Sequence, residues 1–417
     1  MKPLWIKNAA QLVTISGHNK PRTREAMSEL GLIEDGSLWI EKGKIVAVGS
    51  TSELEKEYGK RASEADIVDA SGRLITPGLV DPHTHVAYGG SREREFEMRL
   101  EGATYMEIMN AGGGIHATTR MTREASEEEL LEQTISRLDS FLSHGVTTVE
   151  GKSGYGLDLE TEIKQLRVMK RLNETHPIDL IPTFMGGHAV PHEYKGREDE
   201  YIDVLVNDML PKVADEGLAV FNDVFCEVGV FTPEQSERIL LAGKELGLIP
   251  KIHADEIESY GGAELAAKIG AISAEHLLKA SEEGIRLMAK AGVIACLLPA
   301  TALYLREEAA QGRAMIDAGV AVAISTDCNP GSSPTTSMPL VMNLACISMR
   351  LTPAEALVAA TMNAACAIGV QEKVGSLQVG KQADIVMWNI SNYQELQYLF
   401  GVNHVGSVWK KGVQVVG

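Results

Sequence analysis

Asp81-Pro82-His83-Thr84-His85 is the first stretch of the chain with residues that could do chemistry. It follows Gly78-Leu79-Val80, which reads as a short buried strand. Side chains on a strand alternate between its two faces, so His83 and His85 point the same way. Two imidazoles on one face can share one metal ion, and imidazole suits zinc, iron, copper and nickel. Two histidines in a solvated turn would show the same spacing, so the pair alone decides little. Further ligands at the ends of later strands would decide it.

Such residues are present. Later apolar runs lead into Tyr155, His188, Glu227, His253 with Asp255 and Glu256, His276, and Asp327 with Asn329. Of 11 histidines, five stand at such positions, which scattered surface histidines would not produce. Taken singly, His188 and His276 read as hydrogen-bonded structural histidines, Glu227 as a satisfied acid and Tyr155 as packing. Asp327 is different. It shares a strand face with the small residues Ala321, Ala323 and Ser325, and a carboxylate facing inward among small groups needs a partner. A cation is the obvious one. His83, His85, His253 and Asp327 together supply three neutral ligands and one anion, which leaves room for a water. A metal there makes hydroxide available near neutral pH, for hydrolysis of an amide, amidine or ester or for ring deamination. Asp327 can also take the water's proton, Glu256 can carry a proton to a leaving nitrogen, and His276 can stabilise a developing oxyanion.

The elements that must position these residues follow a strand-then-helix rhythm. Strands are expected at 79–86, 146–150, 180–185, 220–228, 249–254, 271–275, 293–298 and 320–326. Between them lie helix starts: Ser126 with Glu129, Thr232-Pro233-Glu234-Gln235, and Thr352-Pro353-Ala354-Glu355, which match capping boxes and proline at the first helical position. Eight alternating units predict an α/β fold, a (β/α)8 TIM-like barrel, with chemistry at the C-terminal ends of its strands. A doubly wound open sheet would want a GxGxxG after the first strand, and none is there. Gly151-Lys152-Ser153 resembles the tail of a phosphate-binding loop, but position 146, where that loop needs glycine, is valine. The 417-residue chain is long enough for a second domain. Residues 1–74 and 375–417 share a texture of short apolar runs and glycine turns, and are expected to pair as one β domain around a catalytic barrel of residues 75–374.

Composition excludes several functions. The net charge of −18 with no Lys/Arg run makes nucleic acid and anionic membranes poor partners. No apolar stretch is long enough to span a bilayer, and residues 1–15 lack a signal-peptide pattern. Five scattered cysteines without a CxxC read as reduced thiols of a cytoplasmic protein. A small anionic substrate remains open, provided positive groups stand beside it.

The His-x-His with His253, His276 and Asp327 resembles the amidohydrolase superfamily. Ser91-Arg92, Lys152-Ser153-Gly154-Tyr155-Gly156, Met185-Gly186-Gly187-His188-Ala189, His253-Ala254-Asp255-Glu256 and Asp327-Cys328-Asn329-Pro330-Gly331-Ser332 extend the likeness over essentially the whole chain. It implies a barrel joined to a β-sandwich made from both chain ends. It implies one divalent metal ion per chain, zinc or iron, on His83, His85, His253 and Asp327, in a cytoplasmic homodimer. The implied reaction is hydrolytic opening of an imidazolone ring bearing a propionate arm, a step of histidine degradation. Arg92, Tyr155, His188, Glu256, Asn329, Gly331 and Ser332 match positions that contact substrate or product. Binuclear relatives carry a carboxylated lysine on the fourth strand. Here that strand has Glu227 and no lysine, which favours one metal and leaves a weak second site at Glu227 open. A deaminase or another cyclic amidase would keep the same metal set, and Arg92, Tyr155 and His188 are what discriminates against them. A non-catalytic interaction protein would be expected to have lost ligands. Arg92 in the run Arg92-Glu93-Arg94-Glu95 is either a carboxylate fork or a rim arginine paired with its neighbours. Whether the glycine-rich loop Ala111-Gly112-Gly113-Gly114 moves over the site is open.

Overall fold

The computed structural model describes residues 2–103, 107 and 112–417. Eight strands run in sequence order around a barrel: Leu79–Asp81, Val146–Lys152, Asp179–Gly187, Phe221–Cys226, Ile249–Ala254, Ser273–His276, Ile294–Leu297 and Val322–Ile324. Each pairs in parallel with the next. The second, sixth, seventh and eighth strands are buried throughout, because helices cover the outer face of the barrel and side chains fill the inside. Three helices start where the capping boxes place them. Ser126 with Glu129, Thr232 with Gln235 and Thr352 with Glu355 each exchange reciprocal bonds.

The first strand is shorter than its apolar run suggests. It ends at Asp81 instead of continuing to Val86, because Pro82 has no N–H to give a ladder and side chains take over the pairing. Asp81 accepts hydrogen bonds from Ser325 and from Thr326 Oγ1 (2.6 Å). Ser325 Oγ also donates to the His83 carbonyl (2.6 Å), and His85 N donates to Cys328 O (3.0 Å). These bonds join the first strand to the eighth. They close the barrel between His83, His85 and Asp327.

A second sheet has the order Val413–Val416, Val405–Lys410, Ile385–Trp388, Leu74–Pro77, Leu4–Val13, Leu32–Glu41, Lys44–Ser50, with Asp66–Asp69 also paired to Leu4–Val13. The chain ends meet where Ile385–Trp388 lies antiparallel to Leu74–Pro77. Trp388 is buried at this junction and donates from Nε1 to Thr76 Oγ1 (2.9 Å). Leu4, Ile6, Leu38, Ile40, Ile75, Ile385 and Trp409 form the core of this sheet. It is tied to the barrel by Asp179, at the start of the third barrel strand, which accepts from Lys410 Nζ (2.8 Å) and Lys411 Nζ (2.9 Å). No helix among the described residues is long and apolar enough to cross a membrane.

Candidate active site

At the C-terminal ends of the first, fifth and eighth strands, His83, His85, His253 and Asp327 converge in the interior. His83 and His85 lie just past the end of their strand, yet both rings face the same point. His83 Nε2 is 3.4 Å and His85 Nε2 3.7 Å from Asp327 Oδ1, and the Nε2 atoms of His85 and His253 are 3.4 Å apart. His83 Nδ1 meets Glu275 (2.5 Å) and His253 Nδ1 meets Asp223 (3.1 Å). A carboxylate accepts, so both Nδ1 atoms carry the proton and both Nε2 atoms present lone pairs. His83 Nε2 and Asp327 Oδ1 are buried without a hydrogen-bond partner. The other Asp327 oxygen accepts from Thr301 (2.7 Å). The His83 and His253 Nε2 lone pairs and the Asp327 carboxylate converging beside His85 suit a divalent cation, and the Nδ1–carboxylate pairs match the outer support of ligating histidines. Burial, reinforced by the neighbouring charges, holds His83 and His85 well below the ordinary imidazole range and keeps them neutral, as ligation requires. Burial also pushes Asp327 up to about 6, against the bond from Thr301. Three of the residues here adopt left-handed backbone: Asp255 (φ 51°), His276 (φ 67°) and Asp327 (φ 52°). Such conformations cost energy in non-glycine residues and persist where the surroundings over-determine them.

Above this cluster opens a cavity of about 290 Å³. It is lined by His85, Arg92, Tyr155, His188, His253, Glu256, His276, Asp327, Asn329, Gly331 and Ser332. Of the metal, catalytic and substrate-contact residues named from the sequence, all but His83 line the cavity; Glu227 and Asp255 do not. The loop after the eighth strand is shaped by Asn329. Its Oδ1 accepts from Gly331 N and Ser332 N (both 2.8 Å), and its Nδ2 donates to Asp327 O (2.7 Å). Gly331 makes room for Arg92: a Cβ there would stand 2.2 Å from Arg92 Nη1.

Glu256 is largely buried, 3.5 Å from His276 Nδ1. Burial, then the charges of Asp327 and Glu227, push its carboxyl up to about 8, so it carries a proton at neutral pH. Glu227 sets the loop that presents it, accepting from the backbone N–H groups of Glu256 (3.0 Å), Ile257 (2.9 Å) and Glu258 (3.3 Å). Both Glu227 oxygens are engaged in this way. His188 donates from Nδ1 to Gly154 O (3.0 Å) and stacks on His85 (4.7 Å between centroids, 16° between planes). Burial lowers its pKa to about 3, so it is a neutral ring with Nε2 as acceptor. Burial keeps the Tyr155 hydroxyl protonated, well above the usual phenol range.

Arg92 pairs with a neighbour, as the rim reading expects, and also lines the cavity. It donates from Nε (2.9 Å) and Nη2 (2.7 Å) to Glu95 Oε2. The pair is enclosed, however, with side chains 15% and 11% exposed, and it lines the cavity. The other Glu95 oxygen accepts from Gly114 N (3.1 Å). Arg99, one turn further along the helix Glu93–Leu100, donates to Gly331 O (3.1 Å) and also reaches the cavity. The sequence reading missed Glu95 and Arg99, although positions 92, 95 and 99 share one helix face. Ala111, the first residue of the glycine-rich loop, lies outside the described residues; Gly113 and Gly114 are buried, and Gly114 lines the cavity.

The amidohydrolase family model matches residues 74–415, and the chain belongs to that family. Within it, the chain is 62% identical over 417 residues to an imidazolonepropionase from Geobacillus sp. (strain WCH70), covering 100% of this chain and 98% of the relative. It is also 62% identical over 416 residues to an imidazolonepropionase from Brevibacillus brevis, with the same coverage. Among solved structures, an adenosine deaminase from Xanthomonas campestris with bound zinc superposes with a TM-score of 0.70 at 22% identity, covering 99% of this chain and 92% of that one.

Proposed function

We infer that the chain catalyses the imidazolonepropionase reaction: water opens the ring of 4-imidazolone-5-propanoate to give N-formimidoyl-L-glutamate. The enzyme is a metal-dependent hydrolase of a cyclic amide. The observation that carries this reading is that one cavity joins a buried His/Asp cluster, a proton-carrying glutamic acid and an enclosed guanidinium. We assign one ion per chain, zinc or iron, to His83, His85, His253 and Asp327, since imidazole and carboxylate accept both metals.

A divalent ion at that cluster would supply Lewis acidity for adding water to a carbonyl. The remaining work falls to the chain's own residues. Arg92 offers the propionate its Nη1 edge, the edge Glu95 does not take. His188 accepts from a ring N–H through Nε2, and Tyr155 donates its hydroxyl. The water oxygen bonds to the ring carbonyl carbon, and the Asp327 carboxylate takes a water proton. The carbon–nitrogen bond then breaks, and the nitrogen leaves with the proton held by Glu256. His276 faces the oxygen on which negative charge develops. Turnover should be lost on complete chelation and return with zinc or ferrous ion. Full turnover after complete metal removal would overturn the assignment.

A further inference from the structure

Five charged side chains lie inside the barrel, fully buried and outside the cavity: Glu150, Lys152, Asp223, Lys251 and Glu275. Lys152 Nζ bridges Glu150 (2.7 Å) and Asp223 (2.8 Å). Lys251 Nζ donates to Pro82 O (3.0 Å) and stands 3.4 Å from Glu275 and 3.8 Å from Glu150. Two ammonium groups thus join three carboxylates. Burial works against the Lys152 charge, but Asp223, Glu150 and Glu275 outweigh it and hold the ammonium well above its usual range.

Stability does not explain this arrangement, because buried ion networks are often no better than apolar groups of the same volume. Its outward contacts are more telling. Asp223 holds His253 by the backbone N (3.2 Å) and by Nδ1 (3.1 Å). Glu275 holds His83 Nδ1 (2.5 Å). The second strand grips Thr84, the residue between His83 and His85, three times. Thr84 N donates to Glu150 Oε2 (3.2 Å), Thr84 Oγ1 to Glu150 O (2.7 Å), and Lys152 N to Thr84 O (2.9 Å).

We propose that Lys152 is a positioning residue for metal binding, holding Asp223 and Glu150 so that His253 and the His83–His85 segment face one point. Lys152 does not touch the cavity, so it acts on substrate only through these partners. The proposal rests on reading the cluster as a metal site. Wild-type protein that takes up no metal refutes that reading, whereas unchanged uptake by the variants below refutes this one.

The test is zinc affinity by competition with a chromophoric chelator, read alongside the thermal midpoint of the metal-free protein. Lys152→Met should weaken zinc binding by about 10–100-fold, the range for support groups of ligating residues. Lys152→Met with Glu150→Gln returns the network to its original net charge, so the fold should recover while zinc binding stays weak. Recovery of both to within twofold of wild type would mean that Lys152 only balances charge, and the proposal fails. Asp223→Asn, which retains Lys152, should show a loss of similar size that does not add to that of Lys152→Met. Wild-type affinity in Asp223→Asn overturns the proposal even where the Lys152 variants do not fold.

Discussion

Replacing Arg92 with methionine removes the guanidinium and keeps most of the aliphatic stem. Two losses follow in this structure. The propionate loses its cationic partner, and Glu95 loses both guanidinium bonds, keeping among the described residues the bond from Gly114 N. An enclosed carboxylate then faces an incoming anion in a chain of net charge −18. Truncating one partner of a buried charge pair costs about 2–5 kcal/mol, which corresponds to a fall in kcat/KM of about 30- to 5,000-fold. Arg94 is exposed, and Arg94→Met should stay within about twofold, as surface substitutions do. The assay compares kcat/KM for the natural substrate and for an analogue whose propionate is an uncharged amide, with metal content checked for each variant. The unmodified enzyme should lose comparable activity on the amide analogue, and Arg92→Met should add little to that loss. Adding Glu95→Gln to Arg92→Met tests whether the damage is only a stranded Glu95; turnover should not return. If the two losses simply add, Arg92 does not hold the carboxylate. The assignment then moves to Arg99, the other guanidinium on the cavity.

Glu256→Gln should keep fold and metal and lower turnover by about 10²–10⁴-fold. Because activity needs the proton that Glu256 holds up to about pH 8, the wild-type rate should decline above that pH, and the variant should lack that limb. His253→Ala should remove most of the metal by elemental analysis; full retention with full activity would rule it out as a ligand. Asp179→Asn tests the tie between barrel and second sheet. Burial raises the Asp179 pKa, but Lys410 and the bonds from Lys411 and Gln382 outweigh this and hold it at about 2 against an ordinary 3.8. A depressed folded pKa gives stability that is present above about pH 4 and lost as pH falls through about 2, worth about 2 kcal/mol at neutral pH. Urea midpoints of wild type and Asp179→Asn should therefore differ at pH 7 and converge towards pH 2. A constant difference would refute the linkage.

The barrel was legible because strand and helix periods alternate along the sequence and three helix starts carry full capping signals. The converging cluster of His83, His85, His253 and Asp327 was legible because metal chemistry needs particular residue types at strand ends, and those types are rare enough to stand out. Strand ends were less accessible. The first strand stops at Asp81 because side chains of Ser325 and Thr326, distant in sequence, replace its ladder. The support of the ligands was not legible either. Asp223 and Glu275 sit within apolar strands and Lys152 ends one, where a charged residue shows its purpose only once the strands are placed side by side. Glu227 illustrates the same limit. Its position suggested a possible metal ligand, but its oxygens hold the backbone that presents Glu256.

The central claim is water-driven ring opening at this cavity, and isotope labelling tests it most directly. Metal-loaded protein is incubated with 4-imidazolone-5-propanoate in ¹⁸O-water, and the product is read by mass spectrometry. The product should be N-formimidoyl-glutamate with one ¹⁸O atom, in the carboxylate that was the ring carbonyl. Unchanged substrate after prolonged incubation with stoichiometric metal bound would contradict it.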